Sequence, residues 1–217
     1  MEQRDRVLRF AERPIFIGIP KERAHAIFAR CVISPIYEIT SSLRARDDGC
    51  YNPVQMTVNV RQMRSEEAQS FLEVLRAAVR GIAARDYPPS IVESWAPLPI
   101  TDEAIERVLA NPEKELRIVA EVNGEIVGIG AIVIETSELR ACYVAPKAAR
   151  MGIGSALVSE IERIAREHGV TCLHLDSSIT AEPFYRALGY EVQESGEHIL
   201  SSGERMACVK MRKRLRR

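Results

Sequence analysis

The chain has no apolar run of membrane-spanning length, and its first ten residues, MEQRDRVLRF, are too charged for the apolar core of a secretory signal. It has no C-x-x-C pair. Its five cysteines, at 31, 50, 142, 172 and 208, are odd in number and far apart, which argues against a zinc site or a disulfide framework, and no metal is expected. Cys142, Cys172 and Cys208 sit inside apolar strand-like runs, where free cysteine behaves as a small buried hydrophobe. A reducing, cytoplasmic protein is expected. Charge of one sign is also missing: 30 Lys and Arg balance 30 Asp and Glu. No overall field draws the chain to nucleic acid or to an anionic membrane, and neither is expected as a partner. The basic end KMRKRLRR reads as a solvated terminus. Aromatics make up 6%, with one Trp, too few for a base-stacking platform. Gly-Lys-Ser/Thr does not occur, which excludes a Walker A loop.

The rest is ordinary for a globular protein: 217 residues, 46% hydrophobic and 28% charged, enough for one large domain or one domain plus an extension. Residues 1–55 are broken by proline and glycine and read as a flanking segment of unknown order, with one helix in KERAHAIFARCV. Met56 also stands where a start codon would, so a misplaced start is an alternative reading of that segment. From Met56 the pattern changes. MTVNVRQM alternates like a strand with Val58 and Val60 on one face, and Ser65 is placed to cap an amphipathic helix that carries Phe71, Leu75 and Val79. A proline-rich connection, YPPSIVESWAPLP, has room for one short helix. Thr101 caps DEAIERVLAN. Asn123-Gly124 joins two strands in a type I′ hairpin, and ELRACYVAP is the next strand. A helix runs from Gly152 to about His168 with Ile153, Leu157, Ile161 and Ile164 on one stripe, ended by Gly169. Then come TCLHLDSS as a strand, a short helix capped by Thr180, and two strands at about 190–194 and 206–211 flanking GEHILSSGER. An antiparallel group followed by one strand–helix–strand crossover predicts an α/β fold with a mixed central sheet.

The chemistry gathers at YVAPKAARMGIGSALVSEI. Two glycines, one residue apart, open a helix. A helix start offers unpaired N–H groups and the positive end of the dipole, and glycine lets a ligand approach them, which is the arrangement that holds a phosphate. A dinucleotide fold is the first alternative, with Asp176 standing 22 residues after Gly154 as the ribose acid. But the third small position is Leu157, and APKAARM intervenes between strand and glycines. The bland alternative is close backbone packing at the glycines.

YVAPKAARMGIGSALVSEIERIAREHG, together with the later PFYRALGYEV, resembles two segments of the GNAT superfamily of N-acetyltransferases, and the order of elements from Met56 onward matches that superfamily. DYPPSIVESWAP and GEHILSSGERMACVKMRK look like a little-characterised bacterial group within it. The family's loop usually opens with Gln or Arg; here Ala149 takes that position and Arg150 follows. The resemblance implies a GNAT-like domain over 56–217, with helices on both faces of the sheet, that uses acetyl-CoA as co-substrate. It places the pyrophosphate on the backbone of Ala149, Arg150, Met151, Gly152, Ile153, Gly154 and Ser155. Pantetheine would lie beside Cys142, Tyr143 and Val144, where the strand splays from the next parallel one. Tyr185 falls at the family's usual position for the acid that protonates the departing thiolate, which leaves Phe184 for the core. Glu138 aligns with the catalytic glutamate of some members, and Glu135 is its nearest rival. His198 lies near where an acceptor would enter. The expected reaction is direct acetyl transfer to a primary amine of a small molecule or peptide. The alternative is a non-catalytic acyl-CoA-binding module of the same fold, and a homodimer is left open.

Overall fold

Val58 and Val60, two residues apart, are both fully buried, as alternation along a strand requires. They belong to β2 (Gln55–Gln62). The computed structural model describes residues 36–40 and 55–216. These belong to one compact unit, Ser34–Arg217. The helix expected in KERAHAIFARCV lies outside the described residues, as do Cys31 and Cys50. One strand comes from the segment read as a flank: β1 (Ile36–Thr40) pairs antiparallel with β2, Tyr37 opposite Val58.

The remaining elements follow the expected order. They are α1 (Ala68–Gly81), α2 (Pro89–Trp95), α3 (Asp102–Ala110), β3 (Leu116–Val122), β4 (Glu125–Val133), β5 (Glu138–Val144), α4 (Ile153–Glu167), β6 (Cys172–Ser178), α5 (Glu182–Ala187), β7 (Glu191–Ile199) and β8 (Arg205–Arg214). The eight strands among the described residues lie in the order β1-β2-β3-β4-β5-β6-β8-β7. Every pairing is antiparallel except β5 with β6. The sheet is mixed, as the order of elements predicts, with helices on both faces, as the resemblance implies. Asn123 and Gly124 both have positive φ, 52° and 81°, as a type I′ turn requires.

Strand alternation sorts the core into two layers. Ile118 and Ala120 face α4 and join Ile153, Leu157 and Ile161; Val119, between them, faces α1 and joins Phe71 and Val74. α4 sits close on β4 because two strand glycines lie beneath it. A Cβ on Gly128 would come within 2.9 Å of Ile153 Cγ2 and 3.0 Å of Leu157 Cδ1, and one on Gly130 within 3.0 Å of Ile161 Cδ1.

Three local expectations are corrected. Ser65 is not the cap of the first helix. It opens a 3-10 turn, and Glu67 accepts the Arg64 amide at 2.8 Å while its carboxylate also holds Arg61 at 2.6 Å. Thr180 does not cap α5: its hydroxyl donates to Asp86, and the Ser178 hydroxyl accepts from Ala181 N instead. Half of GEHILSSGER is strand and not loop, because β7 runs to Ile199 and β8 begins at Arg205, with His198 opposite Met206. β7 is an edge strand with mostly exposed side chains, so it needs no apolar alternation to form.

Tyr87 pins the segment between α1 and α2 to the far half of the sheet. Its buried hydroxyl donates to Ala207 O and accepts from Ile179 N, each at 2.8 Å. Tyr87→Phe leaves the Ile179 amide and the Ala207 carbonyl without this partner, so chemical denaturation should show a loss of about 1 kcal/mol. A loss under a few tenths would mean that water reaches both groups.

Candidate active site

The parallel pair β5 and β6 meets at a single register point, Glu138 opposite His174, supported by His174 N donating to Ser137 O at 3.1 Å. Beyond that point the strands diverge. β5 keeps its ladder with β4 as far as Val144, and no ladder forms on its other side. The divergence opens the sheet, so side chains from both faces reach one cavity. It is lined by Glu138, Arg140, Cys142 and Tyr143 of β5, Asp176 and Ser177 of β6, Tyr185 of α5, His198 of β7, and Trp95 of α2, among others.

Cys142 and Tyr143 point to opposite faces, as neighbours on a strand must. Tyr143 packs against Trp95, ring centroids 6.2 Å apart, and Trp95 packs against Tyr87 at 5.6 Å. Burial pushes the Tyr143 phenol up to about 12 despite a hydrogen bond with Trp95. On the other face, Cys142 Sγ lies 3.8 Å from Gly154 O, and the thiol is hydrogen-bonded to Tyr185. Burial pushes the Cys142 thiol up to about 12. Tyr185 is 6% exposed, and burial holds its phenol well above the usual value. Both groups stay protonated at neutral pH, so Cys142 is no nucleophile here, while Tyr185 keeps a proton to give.

The glycine loop leaves the end of β5 through a 3-10 turn, Pro146–Ala148, with Ala149 extended after it. Arg150 has φ 65°, and Gly152, at the helix cap, has φ 83°. No side chain caps α4, and the first amide of the helix to find a partner in this turn is Ala156 N, donating to Gly152 O at 3.0 Å. The amides of Ile153, Gly154 and Ser155 therefore point out of the helix end beside exposed Arg150. Met151 packs on the core, and Ile153 is buried beneath the loop. A Cβ on Gly154 would lie 3.1 Å from the Phe184 ring and 3.8 Å from Val144 Cγ2, so the loop, the end of β5 and α5 converge here.

The residues singled out from sequence thus fall in two connected groups. Glu138, Cys142, Tyr143 and Tyr185 line the cavity, and the 149–155 loop lies beyond the end of β5. Glu138 is held by Arg140 at 3.0 Å, and Arg140 also reaches Glu113 at 3.3 Å. Glu135 is exposed, paired with Lys114 at 2.9 Å, and takes no part in the cavity wall. Of the FY pair, Tyr185 is the more buried, and Phe184, half-buried, lies across Gly154. Sequence reasoning missed the contact between Asp176 Oδ2 and His198 Nδ1, 3.1 Å, on the cavity wall. Asp176 was weighed only as a ribose acid, and the pairing depends on how β6 and β7 flank β8.

The family model for the acetyltransferase (GNAT) domain matches residues 83–215. A curated relative, the spermidine N(1)-acetyltransferase of Thermoplasma acidophilum, is 24% identical over 149 residues, which are 64% of this chain and 92% of the relative. Among solved structures, a GCN5-related N-acetyltransferase from Rhodopseudomonas palustris superposes with a TM-score of 0.65 at 24% identity, over 72% of this chain and 94% of that one. The PaiA N-acetyltransferase of Thermoplasma acidophilum in complex with coenzyme A gives a TM-score of 0.57 at 22% identity, over 72% of this chain and 98% of that one. With its opened parallel pair and its glycine-capped helix start, the chain belongs to the GNAT family of N-acetyltransferases.

Proposed function

We propose that the protein transfers acetyl from acetyl-CoA directly to a primary amine of a small molecule or peptide. The observation that carries this reading is the divergence of β5 from β6 after Glu138, with Tyr185 beside the gap. Pantetheine is an extended chain with two amides, suited to pair with a free strand edge along Cys142, Tyr143 and Val144. The edge leads to the open amides at the start of α4, where pyrophosphate would sit on the backbone from Ala149 to Ser155, near Arg150. The coenzyme A complex of a similar fold supports the same ligand. Tyr185 would protonate the thiolate, and backbone N–H groups near Cys142 would meet the oxyanion. Glu138, tied to Arg140, would attract the acceptor's ammonium. The spermidine enzyme among the relatives makes a polyamine the first acceptor to try. Among the described residues no helix is long and apolar enough to cross a membrane. A reducing, cytoplasmic setting suits the free cysteines described.

Thermal shifts with acetyl-CoA, CoA, NAD and ATP test the coenzyme. Stabilisation by the first two alone supports the reading; stabilisation by NAD or ATP alone overturns it. Release of free thiol in the presence of spermidine, lysine amide or an alanyl peptide tests transfer. Binding of acetyl-CoA with no transfer to any amine would favour a binding module.

Gly154→Val tests the loop. Its Cβ starts 3.1 Å from the Phe184 ring, and its methyls stand between the helix amides and an approaching phosphate. Acetyl-CoA binding should weaken by about 2 kcal/mol or more, roughly thirtyfold. Calorimetry reads the affinity, and circular dichroism checks the fold. Unchanged affinity in a folded variant moves the phosphate elsewhere.

A further inference from the structure

We propose that His198, oriented by Asp176, takes the proton from the acceptor's ammonium. This rests on the acetyl-transfer reading above. An alkylammonium near pKa ~10.4 reaches the enzyme charged and must lose a proton before it can attack. Besides His198 and the Asp176 that faces it, and leaving aside Arg140, the serines and the Met206 sulfur, the cavity wall offers four groups for that proton. Cys142, Tyr143 and Tyr185 are held protonated by burial. Glu138 has its carboxylate engaged by Arg140 at 3.0 Å. Imidazole differs from all of these, since it can accept on one nitrogen while it donates from the other.

The geometry fixes which nitrogen does which. His198 Nδ1 is 3.1 Å from Asp176 Oδ2, so the N–H lies on Nδ1 and donates to the carboxylate, leaving the Nε2 lone pair free. The carboxylate then stabilises the imidazolium that forms. The pair stands on the β6 side of the opening, across from the free edge of β5, where an acceptor has to come in to meet the thioester. Both side chains keep about a third of their surface open, 35% for His198 and 32% for Asp176, so the proton has a way out to solvent.

The step balances. The ammonium gives one proton to His198 Nε2, which passes it to water. The neutral nitrogen attacks the acetyl carbon, the N–C bond forms and the C–S bond breaks. Tyr185 protonates the leaving sulfur, and the proton shed by the new amide nitrogen restores Tyr185. Amide, CoA thiol and one proton are the products. His198 is the catalytic residue here; Asp176 positions it.

The test compares amines that do and do not need a base. Spermidine and lysine amide are each paired with the analogue in which the reacting CH2–NH2 is O–NH2, an aminooxy group that is neutral at pH 7. With the alkylamines, His198→Gln should lower kcat/KM by about 10²-fold and Asp176→Asn by about tenfold. With the aminooxy partners both variants should stay within about threefold of wild type. Acetyl-CoA affinity should be unchanged, which separates this loss from misfolding. Equal losses on both kinds of acceptor, or no loss on the alkylamines, overturn the assignment while leaving acetyl transfer intact. A larger alkylamine-specific loss in Glu138→Gln hands the role to Glu138. Transfer to none of the amines by wild type overturns the acetyl-transfer reading and this assignment together.

Discussion

Tyr185→Phe should lower turnover by about 10²–10³-fold while leaving the affinity for acetyl-CoA almost unchanged. The substitution keeps the ring that packs edge-on to Phe184 and Tyr190, at 5.1 and 5.6 Å, and removes only the hydroxyl. In water a phenol near ~10 gives a proton to a thiolate near ~8.5 at modest cost. Burial lifts the Tyr185 phenol further, which by itself makes it a weaker acid. The Cys142 thiol shows what the same surroundings do to sulfur: burial takes it up to about 12. A coenzyme thiolate leaving beside it would be a stronger base than in water by the same cause, so acid and base rise together and the transfer stays within reach. The deficit should shrink for thioesters of more acidic thiols, which leave without a proton. Steady-state rates with acetyl-CoA and with such a thioester test this. A variant at the wild-type rate would make Tyr185 a core aromatic and give the proton to water.

Some local signals in the sequence carry straight through to the structure. Asn-Gly needs two positive φ angles, and Asn123 and Gly124 have them. Thr101 accepts from Ala104 N at 3.3 Å, and in the stripe of α4 Ile153, Leu157 and Ile161 are buried and Ile164 partly so. What escaped depends on partners distant in the chain. Gly128 and Gly130 look like ordinary interruptions of an apolar strand, and their meaning appears only when α4 lies on top of them. Glu67 could be seen as a first-turn acid, but not as the clamp of Arg61, which Glu121 also holds at 2.7 Å. Ser65 and Thr180 are good capping residues in the abstract, and the backbone simply starts its turns elsewhere. The candidate site divides in the same way. The glycine loop and Tyr185 stand out in the sequence because motif spacing marks them. Asp176 and His198 come from two strands that flank a third, and no spacing in the chain foretells that register. The same holds for the tie between Arg140 and Glu138, which changes what that carboxylate can do.

Leu157→Ala is expected to cost about 2–5 kcal/mol of stability, with Trp95, the one tryptophan, reporting unfolding in denaturant. Leu157 is wholly buried in the middle of the α4 stripe, between Ile153 at 1% and Ile161 at 0% exposure. The void left by the substitution has little chance to close. Beneath it lies the backbone of Gly128, already so near that a Cβ there would stand 3.0 Å from Leu157 Cδ1. Beside it are β-branched side chains with one favoured rotamer each in a helix. The cost should therefore fall in the upper part of the range for such truncations, where the site cannot collapse. The same helix presents its first amides to the proposed pyrophosphate site, which couples this loss to the coenzyme. CoA at a hundredfold excess over its dissociation constant should return about 2.7 kcal/mol to wild type and variant alike, because it binds the native chain and not the unfolded one. A loss below 1 kcal/mol would mean that α4 sits loosely on β4. A full loss with no return from CoA in either protein would leave the packing argument standing and take the coenzyme away from the start of α4.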